Sequence, residues 1–397
     1  MPIALEEIKR RLRAFAEVEA RGVSPLYDHL ATHAAEDDDI AALLTDARGG
    51  EARGTLLFAA AHRLVQADPI HPLSRYYPSV GGFDGVDGET WPLFRSFLLE
   101  RADRARELIA TRYTQTNEVR RAALLYPAVA IAAKEAGGKI ALLEVGCSAG
   151  LLLGLDRFGY RYQCDGGEQI AAGPAKAAVG LHCALDVAPG AKLPKMPKKI
   201  AVAARVGLDR APVDLADEDE LAWLEACVWA DQVDRIRLLR TAAAEQRKHA
   251  PELVAGDAVD DLAAAAARLP EELPLVVLTS HALAYLGDRR ADFVAELARM
   301  AGQRPVWWVS QEFYRAGLET VLPGREDLAV AGPSAEVGDG SGAGSGSGAG
   351  AGSGSGSGSA EQAMAVLGLT TWADGQPQAR ALARTAPHGQ RMTWLLA

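Results

Sequence analysis

Glu144, Gly146, Ser148 and Gly150 occupy alternate positions in KIALLEVGCSAG, the stretch from Lys139 to Gly150. Small residues let a backbone come close to a ligand, and a carboxylate heading the turn can take a ligand ammonium or hydroxyl. A helix directly after such a turn adds free N–H groups and a positive dipole end. The same turn could also serve packing alone. Asp165 falls about 20 residues further on, where a ribose-binding carboxylate belongs in nucleotide-binding strand–helix–strand units; it could equally be a turn residue before Gly166-Gly167. Asp257 closes ELVAGD, and Ser280-His281 closes LPLVVLTSH. An imidazole titrates near neutrality, which makes His281 the candidate general base. Upstream, Arg112, Gln115, Asn117 and Glu118 crowd one helix entrance. Two readings compete there: a polar surface turn, or a lid placing the Gln115 and Asn117 amides over the ligand end of a sheet.

Positioning these groups requires strands that end where the polar residues begin. Ile140 to Leu143 is an apolar run bounded by glycines, the pattern of a strand buried on both faces of a parallel sheet. Leu151 to Leu155 reads as the following helix, YRYQC as a second strand ending at Asp165, and ELVA, LPLVVLTS and RPVWWVSQE as later strands separated by Ala-rich helices. Alternation of this kind implies a parallel sheet with helices on both faces and ligands at the C-terminal strand ends. Before it, Leu5, Ile8, Leu12 and Phe15 recur at helical spacing. The chain stays helical to about residue 110, and Thr114 or Thr116 is placed to cap a helix from about Asn117. Residues 170–231 do not fit a minimal crossover and read as an insertion with strands at LHCALDV and KIAVAARVGLD, containing Trp223 and Trp229, both core or domain-interface residues, and a Lys192, Lys195, Lys198, Lys199 cluster. That cluster fits a solvated loop or an acidic partner. Glycine fills every second position from Gly338 to Gly358, a composition that behaves as a flexible coil. Asp374-Gly375 near the end is a hairpin signal.

At 397 residues and 49% hydrophobic, the chain has room for two domains and a sizeable core. A formal charge of −10 argues against nonspecific nucleic-acid binding. No apolar run approaches a membrane span, and the start lacks the pattern of a signal peptide. The four cysteines, Cys147, Cys164, Cys183 and Cys227, form no CxxC pair, so neither a zinc site nor a disulfide framework is expected. The expectation is a cytoplasmic protein without a membrane or nucleic-acid partner and without a metal.

Taken together, TQTNEVRR, LLEVGCSAGLLLGLDRFGYRY, RVGLDRAPVDL and WLEACVW resemble a bacterial, actinobacterial-type family known as a domain of unknown function. The resemblance spans nearly the whole chain apart from the glycine-serine tract. From Lys139 onward the chain also resembles S-adenosylmethionine-dependent methyltransferases with a Rossmann-like sheet. That resemblance implies an α/β fold with a mostly parallel sheet and a C-terminal antiparallel hairpin, preceded by a helical domain. The divisions expected are 1–136 helical, 137–337 core with the 170–231 insertion, 338–359 linker, and 360–397 the closing hairpin. It also implies S-adenosylmethionine as cofactor. Glu144, Gly146, Cys147, Ser148, Ala149 and Gly150 would surround its methionine part, Asp165 would take the ribose, and Asp257 with Ala258 would lie beside the adenine. Ser280 and Gln115 would complete the cofactor contacts, and Asn117 would join His281 at the reacting end. Ser148 departs from the glycine common at its position. An Asn/Asp-Pro-Pro-Tyr motif is absent after the fourth strand, which disfavours base methylation and leaves a small-molecule substrate. The competing readings are a non-catalytic cofactor- or nucleotide-binding protein acting through its helical half, and a nicotinamide-dependent oxidoreductase. The spacing Gly146-x-x-x-Gly150 disfavours the latter.

Overall fold

The structure is a computed structural model that describes residues 3–48, 51–329 and 364–396, so the glycine-serine tract lies outside the described residues. These residues form two compact units: 3–117 with 215–239, and 118–214 with 240–329 and 364–396.

The first unit is helical. Helix Leu5–Ala14 buries Ile8 and Leu12, and Ser24 and Asp37 cap the helices Pro25–Ala34 and Asp38–Ala42 by accepting backbone N–H groups. Longer helices follow at Gly54–Ala67, Thr90–Glu100 and Ala102–Thr111. Part of the segment read as an insertion returns here. Asp217 caps helix Glu218–Ala226, and Arg63 and Arg112 both pair with Asp219. Trp229 stacks on Tyr27 at 5.1 Å, and the Tyr27 hydroxyl accepts the Ala230 N–H at 3.1 Å. Trp223 and Trp229 are thus packed in the helical core.

The second unit is built on eleven strands: β1 (Lys139–Val145), β2 (Gly159–Cys164), β3 (Gln169–Ala172), β4 (Gly180–Val187), β5 (Ala201–Asp209), β6 (Glu252–Ala255), β7 (Leu275–Ser280), β8 (Val306–Glu312), β9 (Ala365–Ala373), β10 (Gln376–Thr385) and β11 (Arg391–Trp394). They form one sheet in the order β3-β2-β4-β11-β10-β9-β8-β7-β1-β5-β6. The fold is α/β with a mostly parallel sheet, as expected. Helices cover both faces, and alternate residues of one strand show it. Trp308 of β8 packs edge-on against Phe293 of helix Arg290–Ala301, while Trp307 bonds Glu135 of helix Arg121–Glu135.

Several elements differ from the sequence expectations. Helix Arg121–Glu135 starts later than Asn117, has no side-chain cap, and belongs with the sheet, where Tyr162 donates to the Ala123 carbonyl at 2.8 Å. The unit boundary therefore falls after Asn117 instead of at 136. Leu151–Arg157 is a 3₁₀ helix, and all of Leu151 to Leu155 is buried, so no amphipathic period sets its geometry. β2 is not the neighbour of β1; six strands separate them. The strand beside β1 is β5, drawn from the segment read as an insertion. The Asp374-Gly375 hairpin forms, with both turn residues at positive φ (50° and 73°) as a two-residue turn demands. It sits inside the sheet, because β10 goes on to pair with β11.

Candidate functional site

β1 holds the centre of the parallel run β6-β5-β1-β7-β8. The chain leaves β1 and returns first as β5 on one side, later as β7 on the other. A reversal of this kind marks the C-terminal strand ends at which open α/β sheets bind ligands. The loops flanking it are Gly146–Gly150 after β1 and His281–Leu283 after β7.

Both loops carry backbone strain. Among the described residues, the non-glycine residues with positive φ are Ser148 (48°), His281 (52°) and Asp374 (50°). The last belongs to the hairpin turn, and the other two stand on the loops after β1 and β7, on either side of the strand reversal. Such conformations cost of order 1–3 kcal/mol and cluster at functional sites. Gly146, at φ 76°, completes the close approach: a Cβ there would lie 2.6 Å from the Ala282 Cβ. Gly146→Ala should therefore destabilise the protein by about 2 kcal/mol or more, measured by urea denaturation.

The acid that fixes the turn is Asp209, at the tip of β5. Its carboxylate accepts the Ser148 N–H at 2.8 Å and the Ala211 N–H at 2.9 Å. Gly146 and Cys147 both donate to the Leu208 carbonyl, and Gly150 donates to that of Cys147. Gln246 donates to the Ala149 carbonyl. The amides of Gly146, Cys147, Ser148 and Gly150 are thus engaged internally, and the seven-residue 3₁₀ helix that follows offers no dipole of consequence. A pyrophosphate would find few donors here. Asp209→Ala should loosen the turn and cost about 2 kcal/mol, read as a lower urea midpoint with unchanged m.

Glu144 lies just below and is 4% exposed, with the Leu153 backbone amide close to its carboxyl. Burial, with the charge of Asp209 close by, pushes its carboxyl well above the usual range. Its Oε2 has no hydrogen-bond partner among the described residues. Burial and the same two acids push the Cys147 thiol up as well, so it is an inert packing residue.

On the β7 side, Glu312 Oε1 accepts the Ala282 N–H at 3.0 Å, while its Oε2 is another buried atom without a hydrogen-bond partner. Burial raises its carboxyl to about 7, against the pull of the Ala282 and Leu283 amides and of Arg121. Arg121 is itself buried, donating from Nε to the Pro387 carbonyl at 2.9 Å and from Nη1 to that of Ser280 at 3.4 Å. Burial and the Arg121 charge hold the His281 imidazole well below its usual range. Gln311 fixes the ring: its Oε1 accepts from Ser280 Oγ at 2.6 Å and its Nε2 donates to His281 Nε2 at 3.1 Å. With the Gln311 amide donating, the neutral ring carries its proton on Nδ1, and its lone pair at Nε2 is taken up by Gln311.

The structure brings Glu144, Gly146, Cys147, Ser148, Ala149 and Gly150 together with Ser280 and His281. Asp165 is elsewhere: it follows β2, which runs antiparallel to β1 through the chain of pairings, and it lies beside Asp186. Asp209 occupies the strand-tip position expected of it. Asp257 and Ala258 follow β6, one strand beyond β5. Asp257 accepts the Val259 and Asp260 N–H groups and pairs with Arg289 at 3.1 Å, interactions that lower its carboxyl. Gln115 and Asn117 lie in the first unit, where the Gln115 backbone bonds Cys227. Sequence reasoning missed Asp209 and Arg121 as site residues, and placed Gln311 and Glu312 at the polar end of the RPVWWVSQE strand without giving them a role. The signal for Asp209 was present, since VGLD is an apolar strand ending in an acid.

Among the described residues, no helix is long and apolar enough to cross a membrane. No curated protein and no solved structure matches the chain. A family model described as an uncharacterized protein conserved in bacteria, DUF2332, matches residues 9–394. The chain belongs to that bacterial family.

Proposed function

We propose that the protein is an S-adenosylmethionine-dependent methyltransferase-like protein acting on a small molecule, with its cofactor in the crevice between β1 and β7. The observation that carries this reading is the pair of strained loops, at Ser148 and His281, on either side of the strand reversal. Chain order among the parallel strands, third-second-first-fourth-fifth across β6-β5-β1-β7-β8, is that of nucleotide-binding sheets. The residues suit a cationic adenosyl compound better than a dinucleotide. The turn amides that a pyrophosphate needs are engaged, whereas Glu144 and Glu312 each keep a buried carboxylate oxygen without a hydrogen-bond partner. Glu144 and the Gly146–Gly150 turn would hold the methionine part, Asp209 the ribose in place of Asp165, and Asp257 with Ala258 would border the adenine. The cofactor supplies an activated methyl group, and the chain's own task is alignment and exclusion of water.

A second reading, a non-catalytic binder of the same ligand, draws support from His281. A ring whose Nε2 accepts from Gln311 has no lone pair to offer as a base. Calorimetric titration with S-adenosylmethionine, S-adenosylhomocysteine and NAD separates the readings. Both sulfur compounds should bind and NAD should not. Binding of NAD alone would reverse the assignment, and binding without turnover over a metabolite library would favour the second reading.

A further inference from the structure

A cleft of about 410 Å³ lies at the start of β5, well away from the Gly146 turn. β5 spans Ala201–Asp209, so its two ends stand about 26 Å apart at about 3.3 Å per residue. Arg157, Lys176, Lys198, Lys199 and His249 line the cleft, with Asp156 and Glu245 as its acids. Both acids are already neutralised by cations outside the lining. Asp156 takes Arg205 at 3.0 Å, a pair of which each side chain is 12% exposed, and Glu245 takes Lys248 at 2.7 Å. Lys176, Lys198 and Lys199 have no ion-pair partner among the described residues. Four cations thus converge on one concavity in a chain whose formal charge is −10.

The lysines are not on a loose loop. Pro197, immediately before Lys198, has its carbonyl bonded by the Tyr126 hydroxyl at 2.8 Å and by the Gly173 N–H at 3.2 Å. Ile200, immediately after Lys199, is buried. Crowding like charges on a pinned backbone is unfavourable unless an anion joins them. Pro174, Ala177, Ala178 and Ile200 supply apolar wall beside the cations, and the volume is that of a small-molecule site.

We propose that this cleft binds a small molecule bearing a phosphate or diphosphate group, with Lys176, Lys198, Lys199 and Arg157 as its counter-charges. The test is calorimetric titration of the full chain with inorganic pyrophosphate, in saturating S-adenosylhomocysteine so that the Gly146 crevice is not read. Wild type should bind with submillimolar affinity. The double variant Lys198→Ala/Lys199→Ala and the single variant Lys176→Ala change exposed residues and should each bind about tenfold or more weakly, since hydrogen bonds to charged groups are lost. Their affinity for S-adenosylhomocysteine should match wild type. Equal pyrophosphate affinity in wild type and variants, or no binding at millimolar pyrophosphate, would overturn the proposal. So would binding of heparin or of phosphatidylglycerol vesicles without any of pyrophosphate, because the partner would then be a polyanionic macromolecule or a membrane surface. None of these results bears on the adenosyl crevice, whose own titration stands apart.

Discussion

Arg121→Met should lower stability at pH 8 by about 3 kcal/mol or more, with a smaller loss at pH 5. The guanidinium is 4% exposed and spends its donors on the Pro387 and Ser280 carbonyls. Its charge also opposes the upward push of burial on the Glu144 and Glu312 carboxyls. Removing one partner of a buried charge cluster costs about 3–5 kcal/mol, because the remaining charge is left without compensation. Here the carboxyls can escape part of that cost by keeping their protons. That route is open at pH 5 and closes as pH rises, which sets the sign of the pH dependence. Arg121→Lys retains the charge but not the planar fork of donors, so it should fall between the two. Urea denaturation at both pH values measures this. A loss below about 1 kcal/mol at pH 8 would show that the cation does not organise the cluster.

The second large effect is at Glu312, whose carboxyl rises from 4.5 to about 7 on folding. Between those values the folded state binds a proton that the unfolded state has released, so stability falls as pH rises across the window. The contribution is fully present below about 4.5 and lost above about 7. Two and a half units correspond to about 3 kcal/mol. Glu312→Gln keeps an oxygen to accept the Ala282 amide and cannot ionise, so it should be more stable than wild type at pH 8 by up to about 3 kcal/mol. At pH 4 the two should nearly coincide. Glu19, also raised to about 7 by burial, titrates in the same window in both proteins and cancels in the difference. Parallel stability curves from pH 4 to 8 would mean that Glu312 ionises normally in the folded protein.

The sequence and the structure agree where the signal is local. Ile140 to Val145 is buried throughout, and the Gly146 turn falls where the apolar run stops. Asp374-Gly375 turns its hairpin. Disagreement begins where the partner is distant. Counting about 20 residues from the turn selected Asp165, but YRYQC alternates, with Tyr160, Tyr162 and Cys164 buried and Arg161 and Gln163 exposed. A strand next to β1, covered on both faces, has no need of that alternation, and VGL before Asp209 fits the place better. The detour through β2, β3 and β4 moves the acid at the tip of the strand beside β1 by more than forty residues, from the expected Asp165 to Asp209. Trp223 and Trp229 are core residues as read, but which core takes them is set by residues far away in sequence: Trp229 packs on Tyr27 and Phe15 in the helical unit. Ser148 shows the converse. Its positive φ is one that glycine adopts without cost, and a serine held there signals strain.

Amide hydrogen exchange on the full-length protein, with and without S-adenosylhomocysteine, tests the central claim most directly. The ligand should slow exchange in Val145–Gly150, Leu208–Val213 and Ser280–Leu283, while the start of β5 stays unchanged. Unaltered exchange in those three segments at saturating ligand, or protection found only at other strand ends, would contradict a cofactor crevice between β1 and β7.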